Sequence, residues 1–432
     1  MTTISHPHVS TELKRVGPFW MTLFTLAWVA IWTIQLTPIE LLLPLQLDTG
    51  DRSGGWIGGV VWAGVVLSVG GFIGVVAGPL AGRWSDRTRS RWGRRRPWAV
   101  GGSLLAAVGL VLIGAVTGPL AIGAAWIVVS AGISVASAAL TAMIADQLPE
   151  TQRGAASAAT SSAQALGVVV GVGTVVLIRL GVFESYLVLA ALIAVIGVGT
   201  ALRLPDEPAH RMLIAPRSMS ARRSSSLRDR DFLWLLSSRV VVNIGNAIGT
   251  ALLLFFLLHG VRVPAAEAQD DLLLLIVIYT VFVVVSSILT GIVSDRAAAD
   301  PVRRRRALTV LSAMFGTVWG VVMLVSPSLI LTMVASALMG IGYGAYMTVS
   351  LALATDLLKD PEDHARDLGL VNVSAQLGQL LGPLVGAGLV ALVGGFWLML
   401  VVAVVLSAVG ALMTYGIRVP GSVPPAPVGV PR

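Results

Sequence analysis

The stretch G-R-W-S-D-R at residues 82–87 returns 209 positions later as G-I-V-S-D-R at residues 291–296. Two further landmarks repeat at nearly the same offset. The first is an ordered set, found as Asp146, Pro149, Arg153 and Gly154 and again as Asp356, Pro361, Arg366 and Gly369. The second is Ser-Ala-Gln, at residues 162–164 and again at residues 374–376. Three landmarks in register predict two related halves within one chain.

The composition indicates the class of protein. Of the 432 residues, 56% are hydrophobic and 12% are charged, and the mean hydropathy is +0.86. A soluble globular chain has about 25% charged residues, so this chain lacks the polar surface of a water-soluble protein. Apolar runs of about 20 residues, long enough to cross a hydrocarbon core as a helix, recur along it. The sequence therefore predicts an all-α membrane protein and excludes a soluble enzyme.

Twelve apolar segments are predicted to be transmembrane helices, six in each half. They lie at about residues 18–46, 55–81, 97–117, 119–146, 155–178, 185–204, 231–259, 270–293, 307–325, 328–356, 369–393 and 395–417. We expect two pseudo-symmetric six-helix bundles, at 1–204 and 231–418, joined by a cytoplasmic linker at 205–230 and followed by a disordered cytoplasmic tail at 419–432. Parallel repeats of this kind carry the substrate path between them.

The basic residues lie between the apolar spans, and the formal charge is +8. The loops after the second and eighth helices and the middle segment are rich in Arg, whereas only Arg52, Arg179 and Arg262 lie on the other side. The positive-inside rule therefore places these loops and both termini in the cytoplasm, with the spans in the cell membrane. The net positive charge is therefore explained by basic loops on the cytoplasmic side of the lipid bilayer, and no nucleic-acid partner is expected.

Several kinds of chemistry are absent from the sequence. The chain has no Cys, and its five His residues are scattered without a metal-ligand spacing. Disulfides, thiolate metal sites and Cys nucleophiles are therefore excluded. No nucleotide-binding motif indicates ATP as the energy source. The N-terminal residues have no cleavage site of a signal peptide. We expect neither an enzyme nor a bound metal or cofactor.

A motif after the second helix carries a family resemblance. It matches the pattern G-x-x-x-D-R/K with a later Gly and basic residues, and its members are Gly82, Asp86, Arg87, Gly93, Arg94, Arg95 and Arg96. This pattern resembles that of the major facilitator superfamily. The longer form at residues 85–97 resembles that of glycoside/hexuronide:cation symporters and sucrose transporters, and Gln35-Leu36-Thr37-Pro38 is similar to the sucrose group. The resemblance implies a secondary transporter that works by alternating access.

Charged residues at the predicted cytoplasmic helix ends are expected to form an inner gate. They are Asp86, Arg87, Arg95, Asp146, Arg153, Asp295, Arg296, Asp356 and Arg366. A carboxylate there accepts hydrogen bonds from a helix N-terminus or pairs with an Arg, and such contacts form when the cytoplasmic side is closed and break when it opens. The alternatives are solvated ion pairs, and arginines that only set topology and bind anionic lipid, as we interpret Arg303 to Arg306.

Polar side chains within the spans are few, and because their burial in a bilayer is costly they are candidates for the substrate pathway. The expected pathway residues are Gln35, Glu40, Gln164, Arg239, Asn243, Asn246, Tyr343, Gln376 and Gln379. Arg239, Asn243 and Asn246 are four and three residues apart, so they share one helix face. Amides, an Arg and a phenol suit a small solute with hydroxyl groups. The alternative is that the amides only join helices.

The family resemblance also bears on the coupling ion. Melibiose-type symporters bind their cation with acids in helices 2 and 4, and this chain has none within helix 2 and only Asp146 at the end of helix 4. Sucrose transporters have an Asp and an Arg in helix 4 where this chain has Ser130 and Thr141. These departures favour a proton over Na⁺ and leave the substrate open, with Glu40 as the expected proton carrier.

The sequence thus favours a monomeric, proton-coupled transporter of a small polar organic solute, with a sugar or glycoside as the leading candidate. The first alternative is a proton-driven exporter of drugs or other amphipathic compounds. The second is a membrane sensor or scaffold that does not transport, for which a soluble domain is expected.

Overall fold

A computed structural model describes residues 15–48, 55–206, 229–295, 301–325, 327–357 and 364–418. The described part contains helices and no strand. Its main helices are α1 Pro18–Leu47, α2 Trp56–Arg87, α3 Arg96–Ala115, α4 Pro119–Gln147, α5 Glu150–Ile178, α6 Val182–Arg203, α7 Arg230–Ala251, α8 Ala268–Asp295, α9 Pro301–Val325, α10 Leu329–Leu357, α11 His364–Val393 and α12 Trp397–Met413. Within the described ranges, twelve helices are long and apolar enough to cross a membrane, which confirms the predicted fold class.

Several helix boundaries have a local chemical reason. Pro18, Pro119 and Pro301 each begin a helix, where the missing N–H costs nothing and the fixed φ is already helical. The helix that starts at Pro301 includes Arg303 to Arg306 in its first turns, so these arginines are helical and do not lie in a loop.

The prediction that the repeated S-D-R motif lies in a loop is wrong. α2 continues to Arg87 and α8 to Asp295, so both copies lie in the last turns of a helix. The stretch 82–87 contains no Pro, and the helix ends only at Thr88, where the backbone becomes extended. The described segment 204–206 after α6 and the start of α7 at Arg230 flank the predicted linker, most of which lies outside the described residues.

Each half is a bundle of closely packed helices. α3 and α4 cross at Gly102 and Gly132, where an added Cβ would lie 2.5 Å from the Ala136 nitrogen and 2.4 Å from the Ala106 nitrogen. In the second half α10 crosses α9 in the same way at Gly342, which faces the Gly316 nitrogen at 2.8 Å. Small residues allow helix backbones to approach this closely in a membrane, where lipid tails compete with apolar side chains.

The outer surface of the helices is apolar. Exposed side chains on α3 include Leu104, Val108 and Leu112, and those on α8 include Val285, Ile288, Leu289 and Ile292. A continuous exposed apolar surface of this kind is expected where helices face lipid. The polar side chains that can bind a solute must therefore be sought inside the bundle.

The two halves meet along α2 and α11, α5 and α8, and α1 and α7. On α2, an added Cβ at Gly64 would lie 2.4 Å from the Ala387 Cβ, and one at Gly71 would lie 2.9 Å from the Leu380 Cα. Further along α2, a Cβ at Gly78 or Gly82 would meet nothing within 4 Å. The two helices therefore touch at one end of the molecule and separate towards the other.

We call the separated end the arginine-rich end, because Arg94, Arg95 and Arg305 lie there, and the touching end the opposite end. α1 begins at the arginine-rich end, since Trp20 Nε1 donates to Gln147 Oε1 at 2.7 Å. The space between the halves that widens from Leu380 towards the arginine-rich end is called the cleft.

Candidate functional site

A row of polar side chains runs along α7 in the second half. Asn243 and Asn246 are buried, and each accepts a hydrogen bond from a tyrosine on a neighbouring helix. Tyr343 of α10 donates to Asn243 Oδ1 at 3.1 Å, and Tyr279 of α8 donates to Asn246 Oδ1 at 3.4 Å. The two tyrosine rings are 6.5 Å apart and both are partly exposed. The pairing leaves the two partly exposed phenols available to a solute with hydroxyls.

Arg239 lies one turn before Asn243 on the same face of α7. Its side chain is 2% exposed. Its guanidinium donates from Nη1 to Ser350 Oγ of α10 and from Nε to Ser374 Oγ of α11, the latter at 3.4 Å. Asn243 Nδ2 donates to the backbone carbonyl of Arg239, one turn earlier, at 2.7 Å. Arg239, Asn243 and Asn246 therefore lie on one face of α7, as their spacing predicts.

Glu40 lies in a π-helical segment of α1, Pro38–Leu42. The Leu43 N–H donates to the Pro38 carbonyl five residues earlier, which widens the turn around Glu40. Single π turns of this kind often occur at functional sites. Glu40 is partly exposed, belongs to the first half, and lies near Tyr279 of the second half. Glu40 thus brings an acid from one half to the row of the other.

The remaining predicted pathway residues are not joined to this row. Gln35 is partly buried on α1, and Gln164, Gln376 and Gln379 are exposed on α5 and α11. None of these four makes a hydrogen bond with another described residue. Gln376 lies one turn from Leu380, on the face of α11 that meets α2, so it borders the cleft. The sequence did not single out Tyr279, because one tyrosine in an apolar span has no distinguishing pattern.

A buried charge network lies at the arginine-rich end of the first half. Arg95, 4% exposed, donates from Nε to Asp146 Oδ2 at 2.8 Å, from Nη2 to Asp86 Oδ1 at 2.5 Å, and from Nη1 to Ser85 Oγ at 2.9 Å. Arg94 Nη2 shares Asp146 Oδ2 at 2.8 Å. Burial lowers the pKa of Arg95, but Asp146 and Asp86 outweigh it and the pKa is raised.

The network also fixes the start of α3. Asp206 Oδ2 accepts the backbone N–H groups of Arg95 and Arg96, each at 2.7 Å, and so places a negative charge at a helix N-terminus. Gly93 has φ +104°, and an added Cβ there would lie 2.2 Å from Asp206 Oδ2. The motif glycine is thus required both by its backbone conformation and by this close contact.

The second half repeats the network. Arg305 of α9 donates from Nη1 to Asp356 Oδ1 at 2.6 Å and from Nε to Ser294 Oγ at 3.1 Å. Arg305 follows Arg95 by 210 positions, as Asp356 follows Asp146. We interpreted Arg305 from the sequence as a lipid anchor, and the repeat offset was the signal that could have found its pairing.

The other predicted gate residues have different surroundings. Asp146 pairs with Arg94 and Arg95, while Arg153 Nε donates to the Leu148 carbonyl at 3.3 Å. Arg87 is exposed. Arg296 lies outside the described residues, and so do the side chains of Asp295 and Arg366. The ion pairs of Arg94, Arg95 and Arg305 at the arginine-rich end each join two residues of the same half.

The opposite end has contacts between the halves. His259, in the continuation of α7 at Phe256–Val261, lies 3.0 Å from Asp48 at the end of α1, measured from Nε2 to Oδ1. Trp56 of α2 stacks on His259 and on Phe396, with ring centroids 4.8 and 5.3 Å apart. A more exposed pair, Arg179 and Asp270, is 3.6 Å apart. We call the cluster of Asp48, Trp56, His259 and Phe396 the aromatic lock.

Comparison with curated proteins finds relatives that match over short stretches. A protein of Synechocystis sp. named as an uncharacterized symporter is 52% identical over 42 residues, which is 10% of this chain and 8% of that protein. A sucrose transport protein of Arabidopsis thaliana is 32% identical over 118 residues, 26% of this chain and 21% of that protein. The matches thus cover less than a quarter of either relative's length. Their names agree with the group predicted from residues 85–97.

Comparison with solved structures shows the fold over almost the whole chain. The nucleoside transporter NupG superposes with a TM-score of 0.73 at 14% identity, over 92% of this chain and 99% of that one. A bacterial homologue of the human lysosomal transporter Spinster, inward-facing and occupied, superposes with a TM-score of 0.67 at 15% identity, over 92% and 96%.

The sequence profile of the Major Facilitator Superfamily matches residues 4–172, 89–297 and 268–431, which together include nearly every residue of the chain. This match agrees with the twelve helices and the paired networks of the two halves. The chain belongs to the major facilitator superfamily, and it is a transporter, not an enzyme.

Proposed function

We propose that the chain moves a small polar organic solute, such as a sugar or glycoside, across the cell membrane by alternating access, coupled to protons. The observation that carries this proposal is the row of phenols and amides beside the cleft, with one acid from the other half nearby. Convergent hydrogen-bonding groups among apolar walls suit a solute with several hydroxyls. The names of the two curated relatives support the same class of activity.

The proposed orientation places the arginine-rich end and both termini in the cytoplasm. Arginines concentrate at that end, as the positive-inside rule requires. The separated ends of α2 and α11 then open the cleft to the cytoplasm, and the aromatic lock closes the outer side. The transport step would reverse this arrangement: the lock opens, and the networks around Arg95 and Arg305 come together across the halves.

Glu40 is the proposed proton carrier. An unpaired carboxylate is costly to place inside a membrane protein, so a change of protonation at Glu40 changes the relative free energy of the two conformations. Its place in the π turn of α1, close to Tyr279, connects that change to the row of the second half. Protonation from the outside and release to the cytoplasm would therefore drive solute uptake.

The experiment is uptake by proteoliposomes under an inward proton gradient, screened with labelled sugars and glycosides. We expect saturable uptake that a protonophore abolishes. Glu40→Gln should lose the acceleration by the gradient but retain solute exchange at equal pH. Glu267→Gln is the matched control, since Glu267 is an exposed acid at the same end. Full gradient-driven uptake by Glu40→Gln would remove Glu40 from the coupling mechanism.

One observation favours a second function, the export of amphipathic compounds. Trp20, Phe24, Trp28 and Trp32 form a continuous aromatic row along α1, with successive ring centroids 4.9, 6.3 and 6.2 Å apart. The Nε1 atoms of Trp28 and Trp32 are buried without a hydrogen-bond partner. Trp32 is the partly exposed member of this row, and its ring suits contact with an apolar solute. Export of dyes from the same proteoliposomes, without sugar uptake, would establish this alternative.

A further inference from the structure

His259 joins the two halves through a side chain that can gain or lose a charge. Its Nε2 atom lies 3.0 Å from Asp48 Oδ1, and the two side chains are 11% and 14% exposed. Histidine is the side chain whose charge ordinarily changes between about pH 5 and pH 8. The contact is therefore an ion pair when the imidazole is protonated and a hydrogen bond with a neutral ring when it is not.

Aromatic rings lie against this imidazole. Trp56 of α2 stacks on it with ring centroids 4.8 Å apart, and Phe255, four residues earlier in the chain, lies 6.4 Å away. Phe396 of α12 also stacks on Trp56. The face of an indole ring attracts a cation more strongly than it attracts a neutral ring. Protonation of His259 therefore strengthens its contact with Trp56 of the first half as well as its contact with Asp48.

Asp48 is the charged side chain that contacts His259 among the described residues. α2 and α12 bring no ionisable group to this end, because those of α2 lie at the arginine-rich end and α12 has none. On α1, Glu40 lies about two turns from Asp48, and the connection to α2 at residues 49–54 is outside the described ranges. The other described ionisable groups at this end make no hydrogen bond or ion pair with His259, and they are Arg179, Glu184, Arg262, Glu267, Asp270 and Asp271. In the part of the chain that the structure describes, the lock therefore has one titratable pair.

We propose that His259 binds a proton at the outer side and that this proton closes the aromatic lock. The charged contacts of protonated His259 join the two halves, so they stabilise only the conformation that is closed at the opposite end. At low pH these contacts are fully present. As the pH rises the imidazole becomes neutral, the contacts with Asp48 and Trp56 weaken, and the open conformation becomes more populated.

The inference rests on the proposed function for the side of the membrane and for the direction of transport. Under an inward proton gradient, the acidic outside would close the lock after a solute has entered the cleft and so favour release of the solute to the cytoplasm. His259 acts through the equilibrium between conformations, whereas Glu40 carries the coupled proton. The protons outside thus supply the driving force and also bias the outer gate.

The experiment measures the distance between spin labels attached through Gly58→Cys and Gly388→Cys, where an added Cβ meets nothing within 4 Å. The protein is held in nanodiscs at about pH 5 and about pH 8, without any solute. We expect the population open at the opposite end to be about fivefold larger at the higher pH, because a charged hydrogen bond is roughly twice as strong as a neutral one. His259→Gln, whose amide can hydrogen-bond but does not titrate, should show no rise.

Glu40→Gln is the control and should keep the rise, since Glu40 is not part of the lock. If His259→Gln does not fold, Asp48→Asn is the second variant, and its rise should be smaller than that of the parent chain. A rise in His259→Gln as large as that in the parent, or no rise in the parent, would overturn the inference.

The outcomes separate this inference from the proposed function. The distances are measured without a solute, so an absence of sugar uptake overturns the proposed function and leaves the inference standing. In intact cells, an impermeant maleimide should label Glu267→Cys, because Glu267 is exposed at the opposite end. If it does not, that end lies in the cytoplasm, and the inference of a proton-binding site at the outer side is overturned.

Discussion

The two ends of the molecule use similar side chains for different purposes. At the opposite end, Asp48 and His259 come from different halves and lie within an aromatic stack. At the arginine-rich end, Arg95 with Asp146 and Arg305 with Asp356 each join residues of one half. Contacts between halves stabilise one conformation relative to the other, whereas contacts within a half stabilise both conformations alike. The difference shows which end is closed and which residues keep it closed.

The largest effect is expected from Arg95→Ala. It leaves two carboxylates without their shared partner, and loss of one member of a buried ion pair destabilises by about 3–5 kcal/mol. Arg305→Ala is the matched change in the other half, where the Arg305 side chain is 16% exposed and that of its partner Asp356 is 25% exposed, against 5% and 17% for Arg95 and Asp146. We therefore expect a smaller loss. Thermal unfolding in detergent measures the loss of stability of each variant, and equal losses would contradict this prediction.

The next largest effect is expected from the aromatic lock. Asp48→Asn removes a charged hydrogen bond between the halves, of which the usual contribution is about 1.5–3 kcal/mol. Conformations open at the opposite end should become roughly ten times more populated. The chain has no Cys, so a single Cys at Gln35 reports access from that side. An impermeant maleimide should label it slowly in the parent and faster in the variant. Unchanged labelling would remove Asp48 from the lock.

A smaller effect is expected where α2 meets α11. Gly64→Ala would place a methyl group 2.4 Å from the Ala387 Cβ and 2.8 Å from the Pro383 carbonyl oxygen. Such overpacking costs about 1–3 kcal/mol and should push the halves apart at the opposite end. Gly78→Ala is the control on the same helix, because its Cβ meets nothing within 4 Å. It should be neutral or slightly stabilising, and a Cys cross-linking assay between α2 and α11 separates the two.

The smallest effect is expected from Arg179→Gln. Arg179 and Asp270 also join the halves at the opposite end, but their side chains are 77% and 49% exposed and 3.6 Å apart. Exposed pairs contribute about 0–1 kcal/mol. Labelling of the Cys at Gln35 should therefore change little. A change as large as that of Asp48→Asn would mean that closure does not depend on the aromatic lock.

The sequence was sufficient to predict the twelve helices and the repeat. The length of each apolar span and the constant offset between the repeated landmarks can both be read from the residues alone. It also predicted the shared face of Arg239, Asn243 and Asn246, since helical spacing is fixed. It did not predict the contact of Asp48 with His259, which are 211 positions apart with no pattern that joins them. It missed Tyr279 for a similar reason, because only the packing of α8 against α7 places that phenol beside Asn246.

The most direct test of alternating access uses distances between spin labels at both ends. The Cys-free chain accepts one pair at Gly58 and Gly388, which lie on α2 and α11 in open space at the opposite end, and another at Gly82 and Val373 at the arginine-rich end. Each pair is measured in nanodiscs, in the parent chain and with Asp48→Ala and His259→Ala combined. We predict a short distance for the first pair and a long one for the second, with reciprocal shifts when the lock is removed. Distances that lengthen together, or do not change, would contradict the account.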